Sequence, residues 1–308
     1  LSFSILNRNV VKARLLLVLA LLLACTACLA PKPTVKIALV APFEGRLRQI
    51  GYGAFPAMRL AIRQAATEAT HVMFIAYNDD GDPAKAARIA HNVARDPEVV
   101  AVIGHLALST TLAALAVYTQ AGLPVIVPTL PAQAVPFDPL VFRLGPDQTS
   151  ARYVVRTARC DLLDDAWSAT GLPPCASDAP PVADLPAAQQ ALAGFTEISL
   201  GPPPGPRAIV AYDATMLVIR AIQQLQRAGG QPTRASVAAA LRRMCYDGLL
   251  GQINFDARNT WASAPLWIYP SSRAGTSIAR DSKMKGLPSP TLCGRFAWQP
   301  ATAQGCPA

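Results

Sequence analysis

Two β-branched apolar runs, Val99–Ile103 and Val125–Val127, bracket a helix-like segment that begins near Ser109 and ends at Ala121-Gly122. Neither run alternates with polar residues, as expected of parallel strands covered on both faces. Strand, loop, helix and strand within about thirty residues is the size of a βαβ unit. Upstream, Val35–Val40 and Val72–Ala76 read as two more strands. Between them, Ala54, Ala57, Met58, Ala61, Ile62 and Ala65 form a helical stripe within Tyr52–Ala69, with Arg59 and Arg63 on the other side. Asn78–Pro83 turns the chain into the next helix, with Asp82 as N-cap and Pro83 at the first helical position. Ala87, Ala90 and Ala94 mark one face of that helix. Four strands alternating with three helices predict an α/β fold, a doubly wound parallel sheet. Ligands of such sheets sit outside the carboxyl ends of the strands. That rule singles out two loops, Gly104–Ser109 and Pro128–Ala132.

The pattern fades between Pro146 and Pro206, where Pro173-Pro174, Pro180-Pro181, Pro186 and a Gly/Pro run from Gly201 to Pro206 interrupt every period. Thr149–Leu163 and Ala187–Phe195 are the two segments there long enough to predict helices. Regular patterning returns with an apolar helix over Ala208–Arg227 and a second over Thr233–Met244. Thr233 caps the second, and Val237, Ala240, Leu241 and Met244 form its stripe. Tyr246–Asp256 predicts a turn plus a short strand, Trp267–Tyr269 one more strand, and the Ser/Pro/Gly-rich stretch from Ser271 a loose tail. These breaks divide the chain into an expected leader (1–24), spacer (25–34), first lobe (35–144), Pro-rich second-lobe remnant (145–207), return segment completing the first lobe (208–256) and C-terminal strand with tail (257–308).

The first 24 residues change how the rest is read. Arg8, Lys12 and Arg14 precede the apolar run Leu15–Ala24, and Leu22-Leu23-Ala24-Cys25 closes it. A basic start, a short apolar core and a small residue before the cut describe a secretory signal peptide. The same closing residues fit a bacterial lipobox, which makes Cys25 the expected lipid-attachment residue and the cell envelope the expected location. Of the formal net charge of +9, Arg8, Lys12 and Arg14 in this acid-free leader supply three. The remaining basic residues are scattered without an interleaved aromatic stripe, so no nucleic-acid partner is expected; the charge is compatible with an anionic ligand or an anionic membrane surface. An apolar fraction of 52% with 15% charged residues excludes a disordered chain. In an oxidising compartment the six cysteines beyond Cys25 can pair. Cys160–Cys175 and Cys293–Cys306 each close a short loop and are the favoured bridges.

Catalytic motifs are missing: no G-x-S-x-G elbow, P-loop or H-E-x-x-H occurs. Gly51-Tyr-Gly53 lacks the third glycine of a dinucleotide fingerprint and reads as a helix start. Asn78–Asp82 has no glutamate at the spacing of a calcium loop and reads as a turn. No cofactor and no metal are expected, and no enzyme activity. Of the three histidines, His105 alone falls at the ligand-side end of a predicted strand.

Five stretches, in this order, resemble the leucine/isoleucine/valine-type periplasmic binding proteins: Ile37–Gly45 (IALVAPFEG), Tyr77–Pro83 (YNDDGDP), Val99–Thr129, Ala211–Thr215 (AYDAT) and Tyr246–Asp256 (YDGLLGQINFD). The resemblance implies two α/β lobes closing on a small polar ligand, here with a rudimentary second lobe, since 145–207 is too short for a second parallel sheet. It also implies an ABC permease as membrane partner, a lipid anchor, and a monomer. In the amino-acid binders of that family the loop after the third strand presents a hydroxyl to the ligand carboxylate. The aligned position here is Leu108, with Ser109 and Thr110 following. Pro131 stands where the next loop usually offers a hydroxyl and an N–H, with Thr129 nearest. The implied ligand set is Phe43, Glu44, His105, Ser109, Thr110 and Thr129, for an amino acid or small anion. Two other readings of the same sequence are a degenerate relative kept as an interaction module and a ligand sensor.

Overall fold

In the computed structural model, residues 35–65, 72–147, 152–155, 176–177, 181–199 and 203–268 are described. The main sheet has five strands in the order β2-β1-β3-β4-β5. They are β1 (Val35–Ala41), β2 (Val72–Asn78), β3 (Val99–Gly104), β4 (Val125–Val127) and β5 (Val141–Arg143), and every pairing is parallel. The chain runs from β1 to one edge and then back past β1 to the other. Right-handed crossovers therefore place helix α1 (Arg48–Ala65) on one face and α2 (Pro83–Arg95) and α3 (Leu108–Gln120) on the opposite one. Burial in β1 follows the period of two. Ile37, Leu39 and Ala41 join the core beneath α1, while Ala38 and Val40 join the core beneath α2 and α3.

Two short helices follow in the proline-rich segment, α4 (Pro186–Ala191) and α5 (Phe195–Ile198), and then α6 (Pro206–Arg227) and α7 (Arg234–Arg242). α6 packs along α1, where the Tyr212 hydroxyl donates to Gln64 Oε1 at 2.6 Å and Gln223 Nε2 donates to the Ala65 carbonyl at 2.9 Å. α6 is long and apolar enough to cross a membrane by composition, yet 83% of its apolar window is buried in the fold. It is a core helix. Thr233 caps α7 in a reciprocal box with Ser236. Arg234, the first residue of α7, reaches the amino end of the sheet and donates to four carbonyls: Val99, Ala94, Asp96 and Ala121. Ala94 and Ala121 lie at the ends of α2 and α3, where carbonyls lack helical partners and the dipole favours a cation.

Several elements differ from their sequence expectations. α1 begins at Arg48, running through Gly51 and Gly53. A Cβ on Gly51 would meet the Pro42 carbonyl oxygen at 2.3 Å, so this glycine permits close packing on the β1 exit rather than breaking the helix. The buried face of α2 is Ala86, Ile89, Ala90 and Val93, not Ala87, Ala90 and Ala94, because the larger Ile89 and Val93 set the face. β5 has only three residues and no alternation to announce it. The helix expected over Thr149–Leu163 is contradicted at Arg152–Val155, which forms strand β6; the remainder of that segment lies outside the described residues. Ala187–Phe195 is split between α4 and α5 around Leu192–Gly194.

Tyr246–Asp256 forms a hairpin of β8 (Cys245–Gly248) and β9 (Gly251–Asn254). A small second sheet has the order β6-β10-β7, with β7 at Ala176–Ser177 and β10 at Pro265–Ile268. Among the described residues ten make up this sheet, and the fold is a doubly wound α/β lobe with a rudimentary second one. Cys245 is disulfide-bonded. The pairs expected at Cys160–Cys175 and Cys293–Cys306, the leader with Cys25, and the tail from Ser271 lie outside the described residues.

Candidate functional site

The loops leaving β1, β2 and β3 at the carboxyl end of the sheet are tied together by short polar side chains. Asn78 Oδ1 accepts from the backbone N–H of Phe43 at 2.8 Å and from that of Asp80 at 3.0 Å. Asp79, fully buried, accepts from the Gly81 N–H at 2.9 Å through Oδ1 and meets His105 Nδ1 at 2.7 Å through Oδ2. The other ring nitrogen of His105 lies 3.2 Å from the Tyr118 hydroxyl, on α3. His105 is 1% exposed and Tyr118 fully buried. Burial, with the Asp79 charge adding to it, pushes the Tyr118 phenol well above its ordinary range. Gly104 has φ +127°, and a Cβ there would meet the Val40 carbonyl oxygen at 2.2 Å, so only glycine lets β3 hand the chain to His105 against β1.

α3 opens directly after His105. Its N-cap is Ala107, which has no side chain to accept from the first-turn amides. Leu108 is therefore the first helical residue, one position before the start expected from the sequence. Ser109 does not cap the helix and is exposed. Thr110 is buried with its hydroxyl donating to the Ala107 carbonyl at 3.0 Å. Thr111 donates to Ala107 at 2.7 Å and to His105 at 3.0 Å, which pins the loop from inside. The N–H groups of Leu108, Ser109 and Thr110 are left at the positive end of the helix dipole, at the carboxyl end of the central strand.

The other expected ligand residues are spread around this end. The Phe43 ring sits edge-on to Phe55 at 5.6 Å, partly buried. Glu44 is exposed and precedes a short 3-10 turn over Gly45–Leu47. Thr129 is buried, and Pro131 leads into a 3-10 turn over Ala132–Ala134. That turn rests on Arg143, whose Nη1 donates to the Val135 carbonyl at 3.2 Å and whose Nη2 donates to the Arg258 carbonyl. The carboxyl ends of β1, β3 and β4 thus carry Phe43, Glu44, His105 and Thr129, with Ser109 and Thr110 in the first turn of α3. His105 differs from the others in turning both ring nitrogens inward.

Sequence reasoning had Asp79 as a turn residue and Tyr118 as part of a helix. Nothing in their spacing announces a contact with His105: Asp79 follows β2 in one crossover, whereas His105 and Tyr118 share the next, between β3 and β4. Asp213 lies within the AYDAT stretch. It accepts from the backbone N–H groups of Leu249 and Leu250 at 3.0 and 3.3 Å, joining α6 to the β8–β9 turn. Burial pushes its carboxyl up to about 7, against the downward pull of those amides and of Tyr246. Two stretches that resemble one family are thus one physical unit. Among the described residues no cluster of three or more His, Cys, Asp or Glu side chains could hold a metal ion.

A family model described as periplasmic binding protein matches residues 34–159 and 168–276. No curated protein matches the sequence. Among solved structures, the fold is similar to the branched-chain amino acid transporter substrate-binding protein LivJ of Streptococcus pneumoniae, in complex with isoleucine. That match has a TM-score of 0.55 and 15% identity over 74% of this chain and 93% of the other. A putative branched-chain amino acid ABC transporter protein of Rhodospirillum rubrum gives 0.58 and 17% over 76% and 96%. An ABC transporter solute-binding protein of Rhodopseudomonas palustris, in complex with benzoate, gives 0.56 and 15% over 73% and 90%. With the family model covering most of its length, and the fold shared with these structures, the chain belongs to the periplasmic binding protein family.

Proposed function

We propose that the protein is the extracytoplasmic solute-binding component of an ABC importer, anchored through Cys25 and delivering its solute to a membrane permease. It binds rather than converts, and holds a small polar or anionic solute of the amino-acid class at the carboxyl ends of β1, β3 and β4. One observation carries the reading: the uncapped amino end of α3 offers the Leu108, Ser109 and Thr110 amides at the switch point of the sheet. The Ser109 hydroxyl adds a donor on the exposed side. Phe43, Glu44 and Thr129 complete the first-lobe rim, and His105 serves it from beneath by fixing the loop. The similar structures hold isoleucine and benzoate, and both ligands carry a carboxylate.

A thermal-shift and calorimetric screen of the protein against amino acids, amides and short organic acids, benzoates included, tests this. Binding of carboxylates but not of their amides supports it. No binding across the set favours the degenerate relative, a reading that Leu108 in place of a hydroxyl and the ten-residue second sheet both favour. The anchor is tested separately: Cys25→Ser should abolish lipid labelling and release the protein from membranes.

A further inference from the structure

α2 and α3 lie side by side over one face of the sheet, and their outward sides differ from those of the other helices. α3 carries no charged residue, and of its exposed positions Leu108, Leu112 and Ala116 fall one turn apart on a single stripe, with polar Ser109 beside it and Gln120 at its end. Leu108 is 36% and Leu112 45% exposed. Beside that stripe α2 exposes Arg88, His91 and Arg95 and has no acidic residue. The acids at the two ends of α2 are all engaged. Asp80 pairs with Lys85 at 2.5 Å, Asp82 accepts from the Ala84 and Lys85 amides, and Asp96 and Glu98 pair with Lys36 at 2.8 and 2.6 Å. On the far side of the sheet α1 exposes Arg59 and Arg63, but Arg63 is paired with Glu197 and no apolar stripe accompanies them.

The point where the chain enters the fold gives the second observation. Lys36, the second residue of β1, is bonded to Asp96, the residue that ends α2. The start of β1 therefore lies beside the end of α2, at the edge of this same face. The ten residues 25–34 span at most about 35 Å when extended.

We propose that the outward face of α2 and α3 docks on a bilayer that contains anionic lipid. Leu108, Leu112 and Ala116 meet the headgroup–acyl boundary, while Arg88 and Arg95 meet lipid phosphates. An apolar stripe flanked by arginines without acids is the surface that an anionic interface attracts. A second copy of the chain fits less well, because an isologous contact through α3 brings the arginines of two α2 helices together. Docked this way, the carboxyl end of the sheet lies across the membrane plane, with the solute site at one side and free to open. Leu108 belongs to both surfaces, its amide to the proposed solute rim and its side chain to the bilayer, whereas Arg88, Arg95, Leu112 and Ala116 belong to docking alone, so docking can fail without solute binding.

The test uses the full chain with an environment-sensitive fluorescent amino acid at Ala116 on α3 or, as control, at Arg59 on α1. Both sites are exposed, and far-UV dichroism checks the fold of each variant. The protein is mixed with vesicles of phosphatidylcholine alone or of phosphatidylcholine with phosphatidylglycerol, each with and without a doxyl-labelled quencher lipid. Flotation reads attachment through the N-terminal segment, and quenching reads the orientation of the fold. The expected result is quenching at 116 and not at 59 on phosphatidylglycerol vesicles. Arg88→Glu with Arg95→Glu should weaken it about tenfold or more, and high salt should weaken it also. Flotation without selective quenching at 116 overturns the proposal, and so does equal quenching on uncharged vesicles. A 116 signal that tracks protein concentration without lipid overturns it in favour of a second copy.

Discussion

The amino and carboxyl ends of the main sheet are finished by different chemistry. At the amino end one guanidinium, from Arg234, serves four carbonyls of β3, α2 and α3, and Lys36 pairs with Asp96 and Glu98. Helix ends and charged side chains answer each other there, and the donors are spent on the protein itself. At the carboxyl end the polar groups that are satisfied lie beneath the surface, in Asp79, His105 and Tyr118. Above them the amino end of α3 has no side-chain cap. The amino end is thus closed by the protein's own side chains, and the carboxyl end keeps an uncapped helix terminus. The contrast follows from backbone polarity, since all five strands run the same way and the crossover helices α1, α2 and α3 all begin at the carboxyl rim.

The largest effect should come from the closed end. Arg234→Met keeps the stem but leaves four carbonyls without their donor, and should cost about 3–5 kcal/mol in denaturant unfolding while leaving solute affinity unchanged. Arg234→Lys should recover less than half, because one ammonium cannot reach four carbonyls in a planar fork. If either variant lowered affinity as much as stability, the two ends would not be separable.

Asp213 supplies a baseline that belongs to neither end. Its native pKa of about 7 lies above the ordinary carboxylate value, so the folded state holds a proton that the unfolded state has lost across that window. Stability from this group is complete below about pH 4 and is lost as pH rises through 7, on the order of 2–4 kcal/mol. Asp213→Asn should flatten that part of the curve in melts run from pH 4 to 8. An unchanged slope would assign the pH dependence elsewhere.

At the open end, His105→Phe leaves Asp79 buried with one partner fewer and should cost about 2–3 kcal/mol. Unlike the Arg234 variants, it should also weaken whatever solute the screen finds, since the loop into α3 loses its anchor. A stable variant with wild-type affinity would show that the loop is fixed by Thr111 alone. The smallest stability change is expected for Ser109→Ala, within about 0.5 kcal/mol, because Ser109 is exposed and does not cap α3. Its affinity for a carboxylate should nevertheless fall about tenfold. A lowered melting point with unchanged affinity would remove Ser109 from the site.

The strands and helices of residues 35–127 were legible because each carries its own period, and Asp82 with Pro83 and Thr233 with Ser236 are local signals that the structure keeps. Arg152–Val155 was read as a helix because its partner, β10, arrives more than a hundred residues later and no local period reports it. The same holds within the site. Strand polarity puts the loops after β3 and β4 at the carboxyl end of the sheet, but the contacts of His105 with Asp79 and Tyr118 depend on where two crossovers converge. Glycine misled in one direction: at Gly51 it signalled a helix start, whereas the helix needed it inside for close packing.

Arg234 also has a consequence in time. About 90 residues separate the last strand of the main sheet from the side chain that locks its amino end, so synthesis at about 5–20 residues per second leaves an interval of roughly 5–20 s. During that interval β1 to β5 exist on one chain without their clamp, and α6, which covers the α1 face, is also still to come. The lobe is locked at its amino end only when its last quarter is delivered.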